Sequence, residues 1–258
     1  MEKGKKPKWG YFPKAGNPEF VTKFEGTKAT PEFLQAIAYE VYVKNVTFGL
    51  LHQWLTDMGM TVSANTLRNW LKKGKVYLDK LVESLKEVAL EKDSIVNCDE
   101  TWCKVRKYDH YKKCYIWVLV NKAERVVIFF YDNGSRGRDV LTDFIGDAEL
   151  KSIMSDGYNA YTFIGNIFTY IKDGSYPIDN NAAERAVRPL TTQRNSMLHF
   201  GSDEGTKMAV TYYSIISTVK LQGWSAWDYL GKFFVNIFNG CRDFFSLRPD
   251  NIGLATCQ

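Results

Sequence analysis

The hydrophobic pattern of this chain changes period at Ser94, and that change limits the folds open to it. Before Ser94, apolar residues recur at helical spacing, as in Phe33, Leu34, Ile37, Ala38, Val41 and Tyr42, the signature of a helix with one buried face. Thr30-Pro31 marks the start of that helix: a hydroxyl cap, then proline at the first helical position. After Ser94, three segments rich in β-branched and aromatic residues follow closely: Ile95 through about Val105, Tyr115 to Val120, and Val126 to Tyr131. These predict a three-strand meander. Asp139 to Ile145 then fits a helix and Lys151 to Ser155 a short fourth strand. The order β-β-β-α-β is the opening of a ribonuclease-H-like fold. The remainder returns to helical spacing, with a helix from Asn180 or Asn181 expected to stop at Pro189, one around Ala209 to Val219, and one carrying Trp227, Leu230, Phe234 and Ile237. The predicted class is α+β.

Ahead of the strands, Phe48, Leu50, Leu51, Trp54 and Leu55 form an amphipathic helix that Gly59 breaks. Ser63 can cap a second helix carrying Leu67, Trp70 and Leu71. Helix, short glycine turn, helix is the outline of a helix-turn-helix. Arg68, Lys72 and Lys73 on the second helix suit DNA phosphates and base edges; a plain helical hairpin with a solvated polar face has the same outline. Lys75 to Leu90 predicts a further helix. Three regions follow: a basic arm at 1–28, a helical DNA-binding region at 29–92, and a catalytic domain with C-terminal helices at 93–258.

The net charge of +5 permits a nucleic-acid partner without requiring one. The five cysteines show no zinc-knuckle spacing and predict reduced thiols. No apolar run reaches the ~18 residues of a membrane span.

Three acids stand out. Asp99 lies on the first predicted strand and Asp156 at the end of the fourth; in this strand order the two run side by side and parallel, about 4.8 Å apart. Glu184 lies in the next helix. Together they offer the hard oxygen ligands that suit Mg²⁺ or Mn²⁺. Each has a plainer reading too. Asp99 and Glu100 point to opposite faces of a strand, so at most one serves the site and the other is expected to be solvated. Asp156-Gly157 is an ordinary turn pair, and Glu184 has capping-box spacing from Asn181 and ion-pair spacing to Arg188.

The block from Tyr176 to Pro189, with Asn180-Asn181-Ala182-Ala183-Glu184-Arg185 at its centre, resembles the signature of the insertion sequence 66 transposases. Its continuation does too: Gln193-Arg194-Asn195, Phe200-Gly201-Ser202, Gly205, and the helix around Tyr213-Ser214 and Thr218. Asp99-Glu100-Thr101 and Asp156-Gly157-Tyr158 are similar to the family's two earlier acidic motifs. The resemblance covers about residues 20 to 232. It implies a DDE-type transposase that cuts DNA at transposon ends and joins the freed 3′-hydroxyl to target DNA. Asp99, Asp156 and Glu184 would be its catalytic, metal-holding triad. Arg185, Arg188 and Arg194 flank the third acid and suit DNA phosphates near the metal; surface ion pairs are their plainer reading. The resemblance further implies a homo-oligomer on DNA, accessory transposition proteins, and a bacterial, cytoplasmic, nucleoid-associated setting with no membrane.

Glu184 follows Asp156 by only 28 residues, where members resembling this chain have a longer segment with a fifth strand and a helical insertion. The chain reads as internally shortened there. A sheet of four strands, or with a poorly formed fifth, is expected. So is a second functional reading, that of a catalytically weak or inactive DNA-binding remnant.

Overall fold

In the computed structural model, residues 28–107, 109–155, 180–197 and 199–252 are described. The chain divides into two compact units, Met1–Leu81 with Gly223–Gln258, and Val82–Gln222.

The first unit is helical. Helix α1 (Pro31–Tyr42) starts as the sequence predicts, with Thr30 Oγ1 accepting from the Phe33 amide at 3.3 Å. Helix α2 (Phe48–Asp57) is capped by Thr47, and the chain turns at Gly59 with φ +82°, a backbone state that favours glycine. Ser63 Oγ accepts from the Thr66 amide at 3.1 Å, at the head of α3 (Ala64–Ala89). A separate helix from Lys75 was expected. Instead α3 runs unbroken through Gly74, because Leu67, Leu71, Leu78, Leu81 and Leu85 stay on one buried stripe. Burying those leucines outweighs the roughly 1 kcal/mol that a mid-helix glycine costs. Helix α7 (Ala226–Phe238) packs on α1: Gln35 Nε2 donates to the Trp227 carbonyl at 2.8 Å, and the Tyr39 and Trp227 rings meet edge-on at 5.2 Å. Gly231 admits that contact, since a Cβ there would come within 2.8 Å of Gln35 Nε2.

The second unit is built on a sheet of strands β1 (Ile95–Lys107), β2 (His110–Asn121), β3 (Val126–Phe130) and β4 (Ser152–Met154). Among the described residues its order is β3-β2-β1-β4. The meander is antiparallel and β4 joins β1 in parallel, as the sequence predicts. One face is covered through an aromatic stack: Trp117 on Phe130, and Phe130 on Phe144 of α4 (Arg138–Ile145) at 3.8 Å. Lys86 of α3 lies 4.3 Å over the Phe144 ring, and burial there lowers the lysine's pKa. The other face receives α5 (Asn181–Met197), which buries Ala183, Leu190 and Gln193.

Helix α5 does not stop at Pro189. It continues for two more turns, because buried side chains lie on both sides of the proline and packing overrides the lost backbone hydrogen bond.

Helix α6 (Asp203–Leu221) closes the outer edge of β3. Ser214 Oγ accepts from the Phe129 amide at 2.8 Å and shares its one proton between the Val210 carbonyl at 2.7 Å and the Phe129 carbonyl at 3.3 Å; Thr218 Oγ1 accepts from the Val127 amide and donates to its carbonyl, both at 3.0 Å. Four helical residues rise about 6 Å, close to two strand residues, so the two hydroxyls match the strand's repeat.

Cys98, Cys103 and Cys114 are buried thiols outside any disulfide, as expected. Cys241 departs from that expectation: it is disulfide-bonded.

Candidate functional site

Asp99 sits on β1 opposite Val118 of β2, half-buried, with Oδ1 accepting from the Glu100 amide at 2.8 Å. Its neighbour faces the other way, but the expectation that Glu100 is solvated is wrong. The Glu100 side chain is only 3% exposed and is held by Arg136 through Nε at 2.8 Å and Nη2 at 2.5 Å. Tyr115, whose ring lies 5.1 Å from the same guanidinium, helps hold the arginine there. Glu100 is thus a buried ion-pair partner on the sheet face opposite Asp99.

The β1–β4 register pairs Ile95 with Ser152, Val96 with Ile153 and Asn97 with Met154. Asp99 stands two residues past the last pair on β1. In the sequence Asp156 also stands two past Met154; it lies outside the described residues, as do the basic arm up to residue 27 and the shortened stretch as far as residue 179.

Glu184 is brought toward β1 by the residue that precedes α5. Asn180 is buried; its Nδ2 donates to the Cys98 carbonyl at 2.9 Å and its Oδ1 accepts from Asn97 Nδ2 at 3.2 Å. Asn97 shares a strand face with Asp99. The Glu184 amide donates to the Asn180 carbonyl at 3.2 Å, so the acid stands one helical turn from this anchor, on an exposed position. The capping-box spacing does not operate. With Asn181 as the first helical residue, the third position is the buried Ala183, one residue short of Glu184.

From the anchor, α5 runs along β1. Arg194 Nη1 donates to the Trp102 carbonyl at 3.0 Å, with its guanidinium 4.2 Å from the Trp102 ring. Phe200 then bridges Val105 in parallel, its amide donating to the Lys104 carbonyl and its carbonyl accepting from the Arg106 amide. Arg185 and Arg188 are exposed on the first half of α5. In the first unit, Arg68 is exposed and lies 4.8 Å over the Phe48 ring; Lys72 is exposed and Lys73 half-buried.

Sequence reasoning missed Asn180 and Asn97. The only available signal was the Asn180-Asn181 doublet inside the family-like block. It also missed a polar cluster at the far end of β1, where Lys107 and Tyr131 both donate to Asp203. Among the described residues, no three His, Cys, Asp or Glu side chains converge on one point; the described acids of the proposed triad are two.

A family model described as "Transposase IS66 family" matches residues 26–166 and 165–208. The two matched segments meet between Asp156 and Glu184, although the chain is continuous there. An uncharacterized protein of Sinorhizobium fredii (strain NBRC 101917 / NGR234) is 34% identical over 71 residues, which is 28% of this chain and 13% of that protein. The chain therefore spans a small part of that relative's length.

Proposed function

This chain belongs to the IS66 family of transposases, and from that membership we propose that it is a DNA transposase, cutting phosphodiesters at transposon ends and joining the freed 3′-hydroxyl to target DNA. The observation that carries the reading is the register of β1 and β4. Continued for two residues, it would set Asp99 beside Asp156, on the strand face where Asn97 holds Asn180 and, through it, the first turn of α5 with Glu184. The strand order β3-β2-β1-β4, with helices on both faces, supports the ribonuclease-H-like form of that reading.

Three carboxylates make a donor set of hard oxygens, which fits Mg²⁺ or Mn²⁺. Asp99, Asp156 and Glu184 would hold the ion, which when bound supplies charge neutralisation and an activated attacking oxygen at the phosphodiester. The chain's own task is positioning. Asn180 sets where α5 begins relative to β1. Arg185 and Arg188 bind phosphates beside the acids, and Arg68, Lys72 and Lys73 bind a separate stretch of duplex. The protein works as a homo-oligomer on DNA in the bacterial cytoplasm at the nucleoid, together with accessory proteins.

A second reading has an observation of its own. The family match breaks within the 28-residue interval between the second and third acids, which supports an internal shortening and, with it, a DNA-binding remnant of weak activity. Cleavage and joining of labelled end-sequence DNA by the purified chain separates the two. The transposase reading expects Mg²⁺-dependent joined product, lost in Asp99→Asn and in Glu184→Gln. Binding without any cut strand, in every divalent ion tried, overturns it in favour of the remnant.

A further inference from the structure

The outer ends of β1 and β2 form a two-stranded ribbon with one largely exposed face. Lower on the same face, Val96, Cys98 and Trp117 are buried. Beyond Glu100 the residues on that face are Trp102, Lys104 and Arg106 of β1, paired directly with Tyr115, Lys113 and Tyr111 of β2. All but the half-buried Tyr115 are exposed.

Lys104 and Lys113 are direct cross-strand partners. Like charges so placed destabilise a ribbon, and neither lysine has a carboxylate partner among the described residues, nor do Arg106 and Arg194. The Trp102 and Tyr115 rings hold cations rather than open stacking faces, and Tyr111 packs against a histidine ring. Trp102 carries Arg194 at 4.2 Å and Lys113 at 5.6 Å, Tyr115 carries Lys113 at 5.5 Å, and Tyr111 meets His199 edge-on at 4.6 Å. The one acid on this face, Glu100, is already consumed by Arg136. The result is four cations without a carboxylate partner among the described residues, on a strip about 14 Å long between residues 102 and 106.

We propose that this ribbon face is a duplex-DNA contact, with Lys104, Arg106, Lys113 and Arg194 on phosphates. It rests on the reading of the chain as a DNA transposase, and adds a surface on the sheet face opposite Asp99. A two-stranded ribbon is narrow enough for a major groove about 12 Å wide. The anionic backbone relieves the Lys104–Lys113 repulsion that the free protein carries. Because Trp102 and Tyr115 already carry cations, the partner is duplex backbone rather than unstacked bases.

The test is fluorescence anisotropy of the full chain on a 30-base-pair duplex over a range of salt. The Lys104→Gln/Arg106→Gln/Lys113→Gln variant should bind more weakly, with a salt slope lower by about 2.7, near 0.9 per lost phosphate contact. The single variant Lys104→Glu should raise the thermal unfolding midpoint, since it turns a repulsive pair into an attractive one, and yet weaken duplex binding. A merely structural lysine would not move the two readouts in opposite directions. If the wild-type chain binds duplex and the triple variant matches it in affinity and slope, the ribbon is not a contact and the transposase reading stands. If the wild-type chain binds no duplex even at low salt, both fall. If the triple variant loses affinity for single strands or RNA but not for duplex, the duplex proposal is overturned.

Discussion

Asn180 donates from Nδ2 to the backbone carbonyl of Cys98 at 2.9 Å, so the residue that opens α5 is fastened to β1 one position ahead of Asp99. Through its own carbonyl it also sets the first turn that carries Glu184. One side chain therefore fixes the offset between two acids 85 residues apart in the sequence.

Asn180→Ala should cost about 1–3 kcal/mol, since both buried hydrogen bonds are lost together. If the acids act as proposed, strand transfer should fall further than stability explains, by roughly a hundredfold for a shift near 1 Å. Urea unfolding gives the first quantity. Single-turnover joining, at a temperature where the variant remains folded, gives the second.

Arg136→Ala should destabilise the second unit by about 1–3 kcal/mol, because the Glu100 carboxylate loses its guanidinium in a nearly buried setting. The double variant Arg136→Ala/Glu100→Gln should recover part of that loss, as no buried charge is then left behind. Denaturant midpoints of the two variants, compared with wild type, check the sign of the recovery.

Ser214→Ala and Thr218→Val should each cost about 1–3 kcal/mol, since each change leaves an amide of β3, and for Thr218 also a carbonyl, without its hydroxyl partner. Ser214→Thr and Thr218→Ser retain the hydroxyl and should cost less. Chemical unfolding at constant m-value distinguishes them.

The polar cluster on β1 predicts a pH dependence at both ends of the scale. Burial opposes charge on Asp203, but hydrogen bonds from Lys107 and Tyr131, with the charges of Lys107 and Lys207, outweigh it and hold the carboxyl below its usual range. Its stabilisation is therefore present above the unfolded pKa, about 4, and is lost as pH falls through the lower folded value. Burial first, then Asp203, raises the Tyr131 pKa, so that contribution is present below about pH 10 and lost as pH rises. Asp203→Asn should be less stable than wild type at neutral pH, and the gap should close as pH drops below about 4. Urea midpoints taken across pH read this directly.

The Arg68→Ala/Lys72→Ala/Lys73→Ala variant should weaken end-sequence binding and lower the salt slope by up to about 2.7, near 0.9 for each phosphate contact removed. Unchanged affinity and slope would make α2 and α3 a structural hairpin alone. Anisotropy titrations with duplex carrying the end sequence supply the comparison.

The meander and the parallel β1–β4 pair were legible because β-branched runs and a period of two survive in any single strand. So was the cap at Thr30, which depends on adjacent residues. Helix boundaries at Gly74 and Pro189 were misjudged for one reason: local propensity weighs one residue, while Leu71 and Leu78, or Ala183 and Leu190, bury area on both sides of it. The clasp of Asn180 on Cys98 had no local trace, being a polar contact across 82 residues. The same holds for Gln35 on Trp227, across 192. Glu100 was misplaced because its partner, Arg136, arrives from the loop after β3. Of the three acids, two could be followed to their elements. The third, Asp156, read from the end of the fourth predicted strand, lies outside the described residues.

The hydroxyls of Ser214 and Thr218 also have a consequence for assembly. At positions 127 and 129 they occupy the outward amides of β3, and at 127 its carbonyl too, so a second copy of the chain finds no free ladder to extend at that border. A strand edge that would otherwise be open to pairing is thus closed within the chain itself.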